Sequence, residues 1–238
     1  LLNTLEEKRE RILSLGIDDF HVVNFTREFS KLSTREFMEE YLIKRYNVST
    51  LVIGYDHRLG NSSLQTQDQM RDIAASLGIE TIRVDEFHCG DKMVSSTKIR
   101  GALQCGDVSG ASDLLGYRYR LHGVVVSGKQ LGRTIGFPTA NMELYEPLKL
   151  VPGNGVYLVD VNVLGKRFRG ICNIGNRPTV GENQSRTIET HILDFDEDIY
   201  GLEMSIEFVS KLRDERKFAS LEELKTQITK DKESVKQH

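Results

Sequence analysis

Along the first half of the chain the apolar positions switch repeatedly between a helical and an extended period. "LEEKRERILSLG" carries apolar residues at helical spacing and stops at Gly16, and "FHVVNF", residues 20–25, reads as a short strand. "STREFMEEYLIKRY" opens with Ser33 and Glu36 at capping-box spacing and sets Phe37, Tyr41, Leu42 and Tyr46 on one side of a helix. The apolar strand "TLVIGY", the polar loop "DHRLGNSSLQT", the helix "QDQMRDIAASLG" and the strand "ETIRVDEF" follow. Such alternation predicts a parallel sheet covered by helices, which binds ligands beyond the carboxyl ends of its strands. "VSSTKIRGALQCG" then places two serines and a threonine at a helix start, and "GDVSGASDLLGYRY" reads as one more short helix.

From about Tyr119 to Phe208 the period becomes that of short strands: "LHGVVVSG", "GVYLVDVNVLG", "RFRGICNIG", "RTIETHILD" and "LEMSIEFV". Glycines with Pro147, Pro152 and Pro178 punctuate them, which predicts an antiparallel β domain closed into a small barrel. The tail from Leu221 is helical. The change of period sets a domain boundary near residue 118, giving domains 1–117 and 118–238.

Composition narrows the class without naming a function. The 238 residues are 28% charged and 39% hydrophobic, as in a soluble globular protein, with a net charge of −3. That charge gives no global reason to expect nucleic acid or an anionic membrane as partner. No apolar run approaches the ~20 residues of a spanning helix, and no signal-like segment opens the chain. Cys89, Cys105 and Cys172 are odd in number and widely spaced, which supports neither a disulfide framework nor a zinc site and fits a reducing cytoplasm. Oligomeric state is not legible.

The densest candidate chemistry is "GRTIGFPTAN", residues 132–141. Gly132 and Gly136 allow a turn or a close approach to a ligand, Pro138 fixes its own φ and restricts Phe137, and Thr139 and Asn141 share one face of an extended segment. A surface turn running into a strand is the competing reading. "GVVVSGKQ", residues 123–130, imitates a phosphate loop but has Gln130 where a hydroxyl belongs and a β-branched spacer. Gly128 and Lys129 can still contact phosphate in another geometry. At "SSTKIR" the exposed amides, the hydroxyls of Ser95, Ser96 and Thr97, and the cations Lys98 and Arg100 make either an anion site or an ordinary capped helix start. In "RTIETHIL" Ile188 and Ile192 fall on one face and Glu189 and His191 on the other, and taken alone Glu189 reads as a solvated strand carboxylate; His191, His57 and His88 lack metal-like spacing. "KLRDERKF", residues 211–218, is either a charged surface connection or a holder of an anionic or planar ligand through Arg213, Arg216 and Phe218.

The order of the motifs is more specific than any one of them. "GRTIGFPTAN", "LVPGNGVYLVDV", "GICNIGNRPT", "IETHILDFDEDIYG" and "KLRDERKFASLEELKTQI" together resemble the riboflavin kinase domain over essentially its full length. Upstream, "EEKRERILSLGID", "STREFMEEYL", "VIGYDHRLG", "VSSTKIRGAL" and "GDVSGASDLLG" resemble the adenylyltransferase half of the bacterial bifunctional riboflavin kinase/FAD synthetase family. The resemblance implies an incomplete Rossmann-like nucleotidyltransferase domain followed by a small antiparallel kinase barrel with a C-terminal helix. It also implies ATP- and Mg²⁺-dependent phosphorylation of riboflavin to FMN, and adenylylation of FMN to FAD by the intact protein.

By that resemblance Thr139 and Asn141 hold Mg²⁺ and nucleotide, and Gly128, Lys129, Gly132, Arg133 and Gly136 cradle phosphates. Glu189 is the base, and Arg213, Arg216 and Phe218 form a flap over the flavin. Ser95, Ser96, Thr97 and Arg100 would hold phosphates in the adenylyl transfer. The family's opening strand and its glycine-rich turn with two histidines would precede residue 1, so FAD synthesis by this chain is expected to be impaired. "DHRLG" also puts His57 and Leu59 where the family has aromatic rings. A flavin or nucleotide sensor that keeps the barrel without catalysis is the alternative; the intact "PTAN" and Glu189 argue against it. A nucleic-acid-binding role is disfavoured by the acidic charge and the lack of an aromatic, Arg/Lys-rich strand face.

Overall fold

A computed structural model describes residues 1–61, 66–128, 131–176 and 186–236. They form two compact units, one of Arg11–Met93 and one that joins Leu1–Glu10 to Val94–His238. The first helix, α1, spans Leu5–Ser14. Residues 20–25 correct the sequence reading, because no strand forms there and Val22, Val23 and Phe25 lie exposed. An extended apolar period specifies a strand only where a partner edge accepts its backbone bonds.

Within Arg11–Met93, α2 (Thr34–Phe37) is started by both halves of the expected capping box. The Ser33 hydroxyl accepts from the Glu36 amide at 3.3 Å, and the Ser33 amide donates to the Glu36 carboxylate at 2.8 Å. The helix then widens into a π turn at Met38–Ile43. Strand β1 (Thr50–Gly54), helix α3 (Gln67–Ser76) and strand β2 (Glu80–Val84) form a crossover unit, with β1 and β2 parallel from Thr50 opposite Glu80 to Gly54 opposite Val84. Met38, Ile53, Met70, Ala74 and Ile79 make the core. Strands β3 (His88–Cys89) and β4 (Lys92–Met93) close a small hairpin.

In the other unit, α4 (Ser96–Cys105) and α5 (Val108–Leu115) precede the barrel and contribute Ile99, Leu103, Val108 and Ala111 to its core. Strand β5 (Arg120–Val126) leads through the short helix α6 (Leu131–Thr134) to β6 (Ala140–Leu144). Strands β7 (Gly155–Val163), β8 (Lys166–Asn176), β9 (Arg186–Ile192) and β10 (Glu203–Arg213) follow, and α7 (Leu221–Lys236) ends the chain. The six strands close in the order β10-β5-β6-β9-β8-β7 with every neighbour antiparallel, which leaves no sheet edge.

Register decides which side chains fill the barrel. Ala140, Thr190, Cys172 and Tyr157 stand opposite one another on successive strands and are all buried inside. Burial pushes the Cys172 thiol up to about 12, so it serves as a small apolar filler. The next row, Asn141, Glu189, Asn173 and Val156, faces outward. Its outward direction follows from Val156, which packs with Leu158, Ile171 and Leu193 against Val235 of α7.

Candidate active site

Among the described residues the β6–β9 seam is the shortest in the barrel, with Ala140 paired to Thr190 and Asn141 to Glu189 across it. Glu189 therefore sits on the outer face directly between Asn141 of β6 and Asn173 of β8. A carboxylate flanked by two carboxamides is surrounded by groups that can either donate to it or accept from a ligand. Sequence alternation put Glu189 on the same face as His191 but gave no sign of Asn173.

The glycine-rich connection lies against this row. A Cβ built on Gly128 would come within 2.2 Å of the Asn141 amide nitrogen, so glycine is what lets the chain pass over that side chain. Gly132 is equally confined, since a Cβ there would meet the Phe137 carbonyl oxygen at 2.2 Å. The Phe137 amide donates to the Gly132 carbonyl at 2.8 Å, and Gly136 completes the turn at φ +84°. Arg133 is exposed and lines a cavity together with Pro138 and Thr139. Lys129, the remaining residue of the expected phosphate cradle, lies outside the described residues. Gly128→Ala should displace the Asn141 carboxamide without unfolding the barrel. If Asn141 serves a metal-bound nucleotide, phosphorylation should fall by about ten- to a hundredfold with little change in melting temperature.

Cavities of about 320 Å³ open on both sides of the seam. One is lined by Thr139, Pro138 and Arg133 together with Asp196, Asp198 and Tyr200 of the β9–β10 connection. The other is lined by Asn141, Ser127, Val151, Arg186 and Thr187. Arg186 is held in place there by the Val151 carbonyl at 2.9 Å and the Asn154 side chain at 3.0 Å. Thr139 and Asn141 thus stand at the boundary between two ligand-sized spaces.

Thr139 and Asn141 present oxygen donors of the hard type. Among the described residues no cluster of three or more His, Cys, Asp or Glu forms a separate metal cage. This donor set fits Mg²⁺, which takes one or two protein oxygens and leaves its remaining positions to phosphates and water.

Arg213, Arg216 and Phe218, the residues expected to form a flap, come together, though they are not equivalent. The Arg216 guanidinium lies 4.7 Å from the Phe218 ring centre and Arg213 lies 5.8 Å from it. Arg213 is also committed elsewhere: it forks onto Asp231 of α7 at 2.8–3.1 Å and donates to the Asp214 carbonyl at 3.1 Å. Asp231 is only 5% exposed and accepts a further bond from Gln227 at 2.7 Å. Glu215 reaches back so that a Cβ on Gly175 would lie 2.1 Å from its carboxylate.

Of the other candidate group, Ser95 is the cap of α4, its hydroxyl accepting from the Lys98 amide at 3.3 Å. Ser96, Thr97 and Arg100 are exposed over the first turns. In the Arg11–Met93 unit, Leu59 packs against the Met38 and Ile53 core while His57 is exposed. Gly60, at φ +76°, leaves no room for a Cβ beside the Thr34 backbone, and Gln67 ties the loop through the Gly54 and His57 carbonyls, both at 3.1 Å.

Comparisons with known proteins fit this architecture. The family model for flavokinase, riboflavin kinase, matches residues 115–238, and that for FAD synthetase matches residues 1–98. The bifunctional riboflavin kinase/FMN adenylyltransferase of Bacillus subtilis is 40% identical over 99% of this chain and 74% of its own length. That of Escherichia coli K12 is 37% identical over 97% of this chain and 73% of its own length. A crystal structure described as a macrolide-efflux protein from Streptococcus pneumoniae superposes with a TM-score of 0.89 at 32% identity, covering 99% of this chain and 75% of that one. Among the described residues no helix is long and apolar enough to cross a membrane. With one domain model spanning the barrel, a second spanning the crossover unit, and relatives aligned across both over about three quarters of their own length, the chain belongs to the bifunctional riboflavin kinase/FMN adenylyltransferase family.

Proposed function

We propose that this chain transfers the γ-phosphoryl group of ATP to the 5′-hydroxyl of riboflavin, giving FMN and ADP, and that the reaction occurs at the β6–β9 seam. The observation that carries this reading is the pairing of Asn141 with Glu189 across a two-residue ladder with a cavity on either side. One cavity would take the nucleotide and the other the ribityl chain, with Thr139 lining the first space and Asn141 the second and Glu189 on the seam between them. Thr139 and Asn141 would hold Mg²⁺, which when bound supplies charge neutralisation at the phosphate oxygens.

The other residues have separate tasks. Glu189 accepts the hydroxyl proton as the oxygen attacks the γ-phosphorus and ADP leaves. Gly128, Lys129, Gly132, Arg133 and Gly136 cradle the phosphates with backbone amides and two cations. Arg216 and Phe218 cover the flavin ring, and Arg213 anchors that flap to α7.

We assign the two activities to residues 1–117 and 118–238, with Ser95, Ser96, Thr97 and Arg100 serving adenylyl transfer. That second activity is proposed to be weak for these 238 residues. His57 and Leu59 replace planar rings in the loop after β1, and Leu59 is directed into the core. Three free thiols suit the reducing cytoplasm.

Incubation with riboflavin, Mg²⁺ and ATP, with the flavins separated by chromatography, should yield FMN with little FAD. Flavin binding without FMN would establish the sensor reading instead, and abundant FAD would overturn the proposed weakness in adenylyl transfer. Omitting Mg²⁺ should abolish FMN formation.

A further inference from the structure

His191 has no role in the mechanism above, yet it is one of the few buried polar residues of the barrel. Its Nδ1 lies 2.8 Å from the Pro138 carbonyl oxygen. A carbonyl only accepts, so Nδ1 carries the proton and Nε2 presents a lone pair. Nε2 is buried with no hydrogen-bond partner among the described residues. Burial, aided by Lys232 of α7 and opposed by the Pro138 bond and Asp194, holds the imidazole below its usual pKa, which keeps this neutral tautomer. The ring also meets Phe137 edge-on at 5.4 Å.

The location of that bond gives it leverage. Pro138 has φ set by its ring, so ψ is its one soft backbone torsion, and ψ is fixed by where the carbonyl points. The carbonyl is coplanar with the amide of Thr139, so holding one orients the other. Resting on the kinase reading, we infer that His191 is a positioning residue: its Nδ1–H, by pinning the Pro138 carbonyl, presets the orientation of Thr139 toward the metal–nucleotide complex.

A purely structural role predicts a different outcome from a positioning role. His191→Phe keeps the ring against Phe137, deletes the donor and also removes the unpartnered Nε2. Its melting temperature should therefore not fall. Its dissociation constant for ADP with Mg²⁺, read by calorimetry, should rise about tenfold, kcat/KM for ATP should fall by at least as much, and the KM for riboflavin should stay unchanged. His191→Asn returns an N–H near the Nδ1 position and should recover most of the nucleotide affinity, whereas His191→Gln, whose amide sits one bond further out, should not. A folded His191→Phe with wild-type nucleotide affinity overturns the inference. Equal affinities for His191→Asn and His191→Gln do so as well, and that comparison decides the matter if the Phe variant fails to fold. Absence of FMN formation by the wild type would count against the kinase reading alone, because the calorimetric comparison remains.

Discussion

Glu189→Gln should lower the kcat for FMN formation by about a hundred- to ten-thousandfold while leaving the melting temperature and the affinity for ADP with Mg²⁺ near wild-type values. The substitution keeps the shape of the side chain and its place between Asn141 and Asn173, and it removes only the capacity to accept the hydroxyl proton. The magnitude follows from the task. In phosphoryl transfer most of the rate comes from alignment and charge neutralisation, which Thr139, Asn141 and the glycine-rich connection continue to supply. A loss confined to the base should therefore appear in kcat and not in binding. Single-turnover measurement of FMN with saturating ATP and riboflavin reads it directly, and a fall of less than about threefold would remove Glu189 from the role of base.

Asp231→Ala is expected to cost about 3 kcal/mol of folding stability, because it breaks a buried ion pair and leaves the partner charge behind. Asp231 is 5% exposed and takes three guanidinium contacts from Arg213 and one from Gln227. Removing it leaves Arg213, whose side chain is 20% exposed, without its fork partner beside the Phe218 ring. The loss should appear as a lower urea midpoint at unchanged slope. Because the same arginine begins the flap, the KM for riboflavin should rise several-fold as well, with nucleotide affinity spared. Asp231→Asn, which can still accept from Arg213 but lacks the charge, should fall between the wild type and Asp231→Ala.

Much of the fold was legible because its signals are local. The capping box at Ser33 and Glu36 appears with both of its bonds, and the βαβ alternation at residues 50–84 appears as a parallel pair. The short strands between Tyr119 and Phe208 close into the antiparallel barrel that their turns and alternation predict. Where locality fails, the reading fails too. "FHVVNF" has a strand's composition, but in the structure it finds no partner edge. Arg213 reads on its segment alone as a surface cation or a ligand holder, and its partner Asp231 lies eighteen positions on in another element, outside any window of periodicity. His191 was indistinguishable from a solvated strand histidine until Pro138, fifty-three residues earlier, came within hydrogen-bond distance.

The motif of residues 132–141 divides along the same line. Side-chain period and turn chemistry depend on neighbours a few positions away, so they were enough to predict short antiparallel strands, while the order of "GRTIGFPTAN", the carboxylate of "IETHILD" and "KLRDERKF" carried the resemblance to a riboflavin kinase domain. Folding then settled which residues face one another: Asn141, Glu189 and Asn173 in one outer row, Gly128 against the Asn141 carboxamide, and Arg213 held by Asp231. Cross-strand register is set by how loops of different length close the barrel, and a slip of one residue would turn Glu189 from the outer face into the core, so no local pattern can specify that row.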